Sequence, residues 1–280
     1  MPRALGTKAL ALLERWEADG TKVVSLGDVR ERLGHSASTE AADQMVRRLR
    51  QAGFLQRVGR GLYAVLPLAW MGEGAPDAVA VLAGIQKHGS VFFVAFDTAA
   101  SHYGWHPETY GVVTIATPRG RRIRPGQVEG TLIRTVTVDA ATFTDGVSSV
   151  RWRGVLIPMS SRNRTVVDAV ARVDLIGGYA AVLRLLARAA KDPKLDPLEV
   201  ARLGRGRASV RLQKRLGYLA EVAGWTWPDT ALELLREGWS PRHRTTLDDP
   251  RRSQGGLWDS RWQLSVNVAK SQLHPESAIR

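Results

Sequence analysis

Residues 38–65 read STEAADQMVRRLRQAGFLQRVGRGLYAV, and their pattern decides the N-terminal fold. Ala42, Met45, Val46, Leu49 and Ala52 recur at helical spacing, which gives the segment one face able to pack inward. The other face carries Glu40, Asp43, Gln44, Arg47, Arg48, Arg50 and Gln51. Ser38 is suited to cap the helix start, and Gly53 followed by Phe54 suits a left-handed C-cap with an apolar contact behind it. Phe54–Val58 and Leu62–Val65 then form a hairpin about Gly59-Arg60-Gly61, with Arg57 and Arg60 near its tip. A polar, arginine-rich helix followed by a basic hairpin is the pattern of a winged helix. There the helix enters the DNA major groove, and the wing lies along phosphates or the minor groove.

The preceding residues complete such a unit. Thr7 to Trp16 has the spacing of an amphipathic helix, and Val23-Val24 can pair as a short strand with the wing. Ser25 stands three before Asp28, as a capping box requires, and opens a helix to about Leu33. Gly34-His35-Ser36 turns the chain into the recognition helix. Residues 1–68 are therefore expected to form a winged helix-turn-helix. Arg47, Arg48, Arg50, Arg57 and Arg60 are the candidates for phosphate and groove contacts, and Thr39, Glu40, Asp43 and Gln44 for base readout. A run of arginines is most often only a solvated helix face; the order helix, strand, helix, turn, helix, hairpin argues for DNA.

The chain has 280 residues, with 40 Lys and Arg against 27 Asp and Glu and a formal net charge of +13. This length suits two or three domains, and such a balance attracts polyanions, most commonly nucleic acid. Cysteine is absent, which excludes disulfides and thiolate metal sites. The N-terminus has no signal-peptide apolar core, and no apolar stretch approaches the ~20 residues that cross a membrane. The expectation is a cytoplasmic protein without membrane contact. Between Arg162 and Arg215 there are 13 Lys and Arg against five Asp and Glu. In that region Arg184, Arg188, Arg207, Arg211, Lys214 and Arg215 fall away from the expected apolar stripes. They form a candidate second basic patch for flanking DNA or for an acidic partner or RNA.

Pro67–Pro76 reads as a linker, and residues 77–280 as one α+β domain. Its expected helices are Asp77–Lys87, Phe96–Tyr103, Arg162–Val173, Gly178–Ala190, Pro197–Leu203 and Ala208–Ala223. Its expected strands are Ser90–Val94, Tyr110–Thr117, Thr131–Val138, Val150–Met159 and Trp262–Val268. A basic loop, Arg119–Arg124, joins two of the strands, and Arg242–Gly256 reads as a second loop. The fold class is thus α+β: a winged helix-turn-helix, then a mixed domain with a helical C-terminal part. His102 and His106 are four apart, but Gly104, Trp105 and Pro107 interrupt the helix and no third metal ligand is evident. The chain has neither a P-loop nor a Gly-x-Ser-x-Gly elbow, and no clustered carboxylates of a nuclease are evident. No catalytic residue, cofactor or metal is assigned.

A second pattern lies in the middle of the chain. TAASHYGW (98–105) precedes a strand ending in Thr117-Pro118, and IPMSSRNRTVVDA (157–169) leads into Gly177-Gly178-Tyr179. Leu216-Gly217-Tyr218-Leu219 and Asp259-Ser260-Arg261-Trp262 follow. In this order, and behind the expected winged helix, these segments resemble the AbiEi antitoxins of type IV toxin–antitoxin systems over nearly the whole chain. The resemblance implies an N-terminal winged helix that represses its own operon by binding promoter repeats in double-stranded DNA. It also implies a C-terminal domain that counteracts a cognate nucleotidyltransferase toxin, an antagonism that needs no stable complex. Read without the resemblance, Arg164 to Asp168 is a helix start in which Ser161 caps and Asp168 holds Arg164 or Arg172, a structural buttress.

The expected function is a DNA-binding antitoxin and transcriptional autorepressor with no catalysis of its own. A ligand-responsive winged-helix regulator and a DNA-processing enzyme are the rival readings. An apolar pocket with converging polar groups would favour the first, and a carboxylate cluster in the C-terminal domain the second.

Overall fold

The computed structural model describes residues 5–34, 36–66, 77–108, 111–120, 126–128, 130–240, 244–249 and 256–273. The expected linker at 67–76 lies outside them, as do residues 121–124 of the first basic loop and most of the second. The fold is α+β.

The chain opens with α1 (Thr7–Ala18), β1 (Val23–Ser25), α2 (Leu26–Leu33), α3 (Thr39–Gln51), β2 (Leu55–Gly59) and β3 (Leu62–Val65). Each start and stop has a local cause. Ser25 and Asp28 form a reciprocal capping box on α2, with Ser25 N–H donating to Asp28 Oδ2 (2.6 Å) and Asp28 N–H to Ser25 Oγ (3.1 Å). Ser38 Oγ accepts from Ala41 N–H at the start of α3. At its end Gly53 takes φ +84°, and the Phe54 N–H reaches back to Leu49 O at 2.9 Å, which closes a Schellman cap. β1 and β2 both pair antiparallel with β3. Trp16, Leu13, Val29, Val46, Leu49 and Leu55 form the core between these elements.

Two compact units emerge. The first is Met1–Phe93, Tyr110–Val138 and Ser149–Pro158. Beyond its opening segment it takes in α4 (Ala78–Lys87), capped by Asp77, which packs on β1 so closely that a Cβ on Gly84 would stand 2.6 Å from Val23 Cγ2. The second unit is Val94–Thr109, Asp139–Ser148 and Met159–Arg280.

Along the chain β4 (Phe93–Val94), α5 (Phe96–His102), β5 (Val112–Pro118), β6 (Gln127–Val128), β7 (Thr131–Val138), β8 (Val147–Trp152) and β9 (Val155–Ser160) follow. β5 and β7 pair parallel over seven residues. The expected single strand Val150–Met159 is two strands. Arg153 (φ +46°) and Gly154 (φ +82°) turn the chain between β8 and β9, a positive-φ pair that suits a two-residue hairpin. β6 is an addition to the sequence reading, and the expected strand Ser90–Val94 contracts to β4.

The rest is mainly helical: α6 (Arg162–Ala171), α7 (Val173–Ile176), α8 (Tyr179–Ala189), α9 (Pro197–Gly206), α10 (Val210–Val222) and α11 (Asp229–Arg236). The single helix expected over Arg162–Val173 breaks at Arg172, whose φ is −131°. The short strands β10 (Thr245–Thr246), β11 (Leu257–Asp259) and β12 (Leu264–Val266) form a sheet of their own. The described strands are thus ordered β1-β3-β2, β6-β7-β5-β4-β9-β8 and β10-β12-β11. β10 falls within the expected loop Arg242–Gly256 and pairs parallel with β12. Trp262 precedes β12 in a turn, although its position suggested a strand. It is fully buried on Gly217 of α10 and donates from Nε1 to Glu221 Oε2 at 2.7 Å. Among the described residues no helix is long and apolar enough to cross a membrane.

Candidate nucleic-acid interface

The apolar stripe Ala42–Val46–Leu49 fixes the roll of α3 in the first unit. At 3.6 residues per turn, Glu40, Gln44 and Arg47 then point most directly away from the core. Thr39, Asp43 and Arg50 lie on one flank, and Arg48 lies on the other, against Gly6 at the start of α1. All seven residues are exposed, as are Arg57 and Arg60 of the hairpin. Among the described residues none of these five arginines stands within ion-pair distance of a carboxylate. Arg50 sits 6.0 Å from the centre of the Tyr63 ring, and Arg57 Nε donates to Gly59 O at 3.2 Å. Hydrogen bonds from its own N–H and from Ser38 hold the Glu40 carboxyl below the usual carboxylate range. It is therefore an acceptor at neutral pH.

Arg47, Arg50 and Arg57 converge on one open cleft of about 710 Å³, with Gln51, Gln56 and Gln127 on its walls. Gln56 Nε2 donates to the backbone carbonyl of Gln127 (2.5 Å), so β2 is tied to β6 at this cleft. Arg48 and Arg60 lie outside it. The arrangement offers several guanidinium forks at once in a concave, solvent-open surface, a geometry that suits the oxygens of a phosphodiester backbone. β6 contributes Gln127, and the sequence carries no signal for this strand because two residues give no periodicity.

The expected second basic patch is not one exposed face. Lys214 is fully buried, its ammonium donating to Gln263 O at 3.2 Å and lying 5.0 Å from the Trp239 ring centre. Arg207 Nη2 donates to Asp168 Oδ1 at 2.5 Å. Arg211 Nε donates to Thr246 O at 3.2 Å, and Arg184 and Arg215 are half-buried. Arg188 alone of the six is exposed, with Nη1 at 3.4 Å from Trp105 O. The apolar stripe of α10 is wider than the sequence suggested, because β12 and the turn before it cover the flank that carries Lys214.

Residues 98–105, 159–169 and 177–179 of the pattern in the middle of the chain lie in the second unit, and the strand ending in Thr117-Pro118 lies in the first. Tyr103 donates its hydroxyl to Ser160 O at 2.6 Å, beneath the Arg162 guanidinium, which lies 4.6 Å from the ring centre. Arg164, fully buried, donates from Nε to Asp168 Oδ2 (3.2 Å) and from Nη1 to the carbonyls of Thr142, Phe143 and Asp145. Burial lowers its pKa from the ordinary arginine value, and Asp168 opposes that shift. Arg172 pairs instead with Asp174. Of the two histidines weighed as metal ligands, His106 places Nε2 2.9 Å from Ile176 O. Burial first, then the charge of Arg162, pushes His102 below its ordinary value. No cluster of three or more metal-ligating side chains occurs among the described residues.

No family model matches the sequence, and no curated protein is similar to it. The fold is similar to a solved one, the crystal structure of the RV2827C protein from Mycobacterium tuberculosis. That match has a TM-score of 0.68 at 22% identity and covers 94% of this chain and 92% of the other.

Proposed function

We propose that this protein binds double-stranded DNA through α3 and the β2–β3 hairpin, used as the recognition helix and wing of a winged helix. In this reading it acts as an autorepressor and antitoxin of a type IV toxin–antitoxin operon. The observation that carries the DNA reading is the set of five exposed arginines on α3 and the hairpin, which have no carboxylate partner among the described residues. α3 approaches the major groove with Glu40, Gln44 and Arg47 foremost. Glu40, held ionised, is suited to accept from the cytosine amino group. Arg50 and Arg57 grip the phosphates that flank the cleft, and Arg60 extends along the backbone from the hairpin tip.

The antitoxin part rests on the sequence resemblance in residues 98–118, 157–179, 216–219 and 259–262. It makes residues 77–280 the antagonist of a nucleotidyltransferase toxin. Two experiments test the two parts separately. DNA from upstream of the protein's own operon should shift in a gel with the purified chain, and unrelated DNA of equal length should need at least ~10³-fold more protein. Equal affinity for both would remove the repressor reading. Co-expression with a nucleotidyltransferase encoded beside this chain should restore growth; continued arrest with soluble protein present would remove the antitoxin reading.

A further inference from the structure

A cavity of about 750 Å³ in the second unit is lined by Gly178, Tyr179, Arg211, Arg215, Asp248 and Asp249, among others. That volume lies within the roughly 300–1,000 Å³ of small-molecule sites. Arg211 and Arg215 stand four residues apart on α10 and so share one helix face. In this unit Arg162, Arg164, Arg172, Arg202, Arg205, Arg207 and Arg261 each have a carboxylate within 4.0 Å. Among the described residues Arg211 and Arg215 have none, although both are partly buried. Arg215 Nε is buried and has no acceptor among the described residues, and its Nη2 lies 3.5 Å from the Tyr179 hydroxyl. Burial foremost, and then the neighbouring charge of Arg211, act against the charge on Arg215, while Tyr179 and Asp248 favour it. Two like charges share this face, opposed in part by the carboxylate of Asp248 on the same lining.

The backbone at the same place supplies further donors. Gly177 (φ +97°) and Gly178 (φ +99°) lead into α8, and no side chain caps it. The N–H groups of Tyr179, Ala180 and Ala181 find no acceptor among the described residues. The absence of Cβ atoms at 177 and 178 leaves this end of the 11-residue helix open to the cavity. Two guanidiniums and a helix N-terminus offer more donors than the two oxygens of a carboxylate use, and suit the three terminal oxygens of a phosphate ester. Asp248 and Asp249, on the same lining, disfavour a polyanion such as nucleic acid and suit hydroxyl donors.

We infer that this cavity binds a small phosphorylated, hydroxyl-bearing metabolite of the nucleoside- or sugar-monophosphate class, with its phosphate held by Arg211, Arg215 and the start of α8. This site is separate from the arginines of α3, so the DNA reading stands or falls independently. Calorimetric titration of the full chain at 0.15 M salt, with adenosine 5′-monophosphate and ribose 5-phosphate as probes, tests it. At least one ester should bind ten-fold or more tightly than its phosphate-free parent, adenosine or ribose, and than inorganic phosphate. Arg211→Gln and Arg215→Gln should each weaken binding ten-fold or more. If Arg215→Gln fails to fold, Ala180→Asp serves in its place: a carboxylate in the first turn of α8 should raise Tm and abolish ester binding. No binding of either ester at millimolar concentration overturns the inference, as does binding unchanged in Arg211→Gln and Ala180→Asp. Inorganic phosphate binding as tightly as the esters overturns the metabolite assignment.

Discussion

Asp168 shows how much can rest on one side chain. It is 2% exposed and accepts from both Arg164 and Arg207, while Arg164 in turn donates to three carbonyls of the chain before β8. Removing one partner of a buried pair leaves the other charge desolvated, at a cost of about 3–5 kcal/mol. Asp168→Ala should therefore lower the unfolding free energy in urea by that amount; a loss under about 1 kcal/mol would mean that water replaces the carboxylate. The sequence allowed Asp168 to hold Arg164 or Arg172, both four residues away. Which of them it holds depends on Asp174, which takes Arg172, and on the carbonyls that surround Arg164. No local pattern contains that information.

Tyr179 makes a second residue-scale test. Burial foremost, with help from Asp248 and against the charge of Arg215, pushes its hydroxyl from 10.0 up to about 12. Because the folded value is the raised one, this stabilisation is complete below pH 10 and is lost as pH rises from about 10 to about 12. Tyr179→Phe should flatten the fall in stability across that window. Losing the hydrogen bond to Leu247 O should cost about 1 kcal/mol at neutral pH. An unchanged alkaline slope in thermal melts would contradict the assignment.

At the scale of elements, the caps were the most legible feature. Ser25, Ser38 and Gly53 act where their types predicted, because capping is a contact between residues three to five apart. What escaped was set by contacts far along the chain. α10 reads as a helix with Lys214 outside, yet β12 and the Trp262 turn cover that side. Gly217 shows the competition most clearly. In an isolated helix Gly→Ala would gain about 1 kcal/mol. Here a Cβ would stand 1.9 Å from Trp262 Cζ3, and Trp262 has no exposed surface to move into. Overpacking of this kind costs about 1–3 kcal/mol or more. Gly217→Ala should thus lower Tm, whereas a raised Tm would show that the indole can move aside. The segments 216–219 and 259–262, picked out separately in the sequence, meet at this point.

Across the whole molecule, the net charge of +13 conceals two different uses of arginine. In the second unit most arginines are engaged by carboxylates, carbonyls or rings, and they hold helices and loops in place. In the first unit the five on α3 and the hairpin are exposed and lack carboxylate partners among the described residues. Composition could count these charges but could not divide them, since the pairing acids lie 2 to 76 residues away. The division matters because only charge free of an internal partner can release counterions from DNA. The most direct test is the salt dependence of binding to upstream DNA for the intact chain and for Arg50→Ala/Arg57→Ala/Arg60→Ala. The variant should stay folded, because exposed substitutions rarely cost more than ~0.5 kcal/mol each. Its log–log salt slope should flatten by up to ~0.9 for each phosphate that is no longer neutralised, together with a fall in affinity. An unchanged slope and affinity in a folded variant would contradict the claim that α3 and the hairpin form the DNA interface.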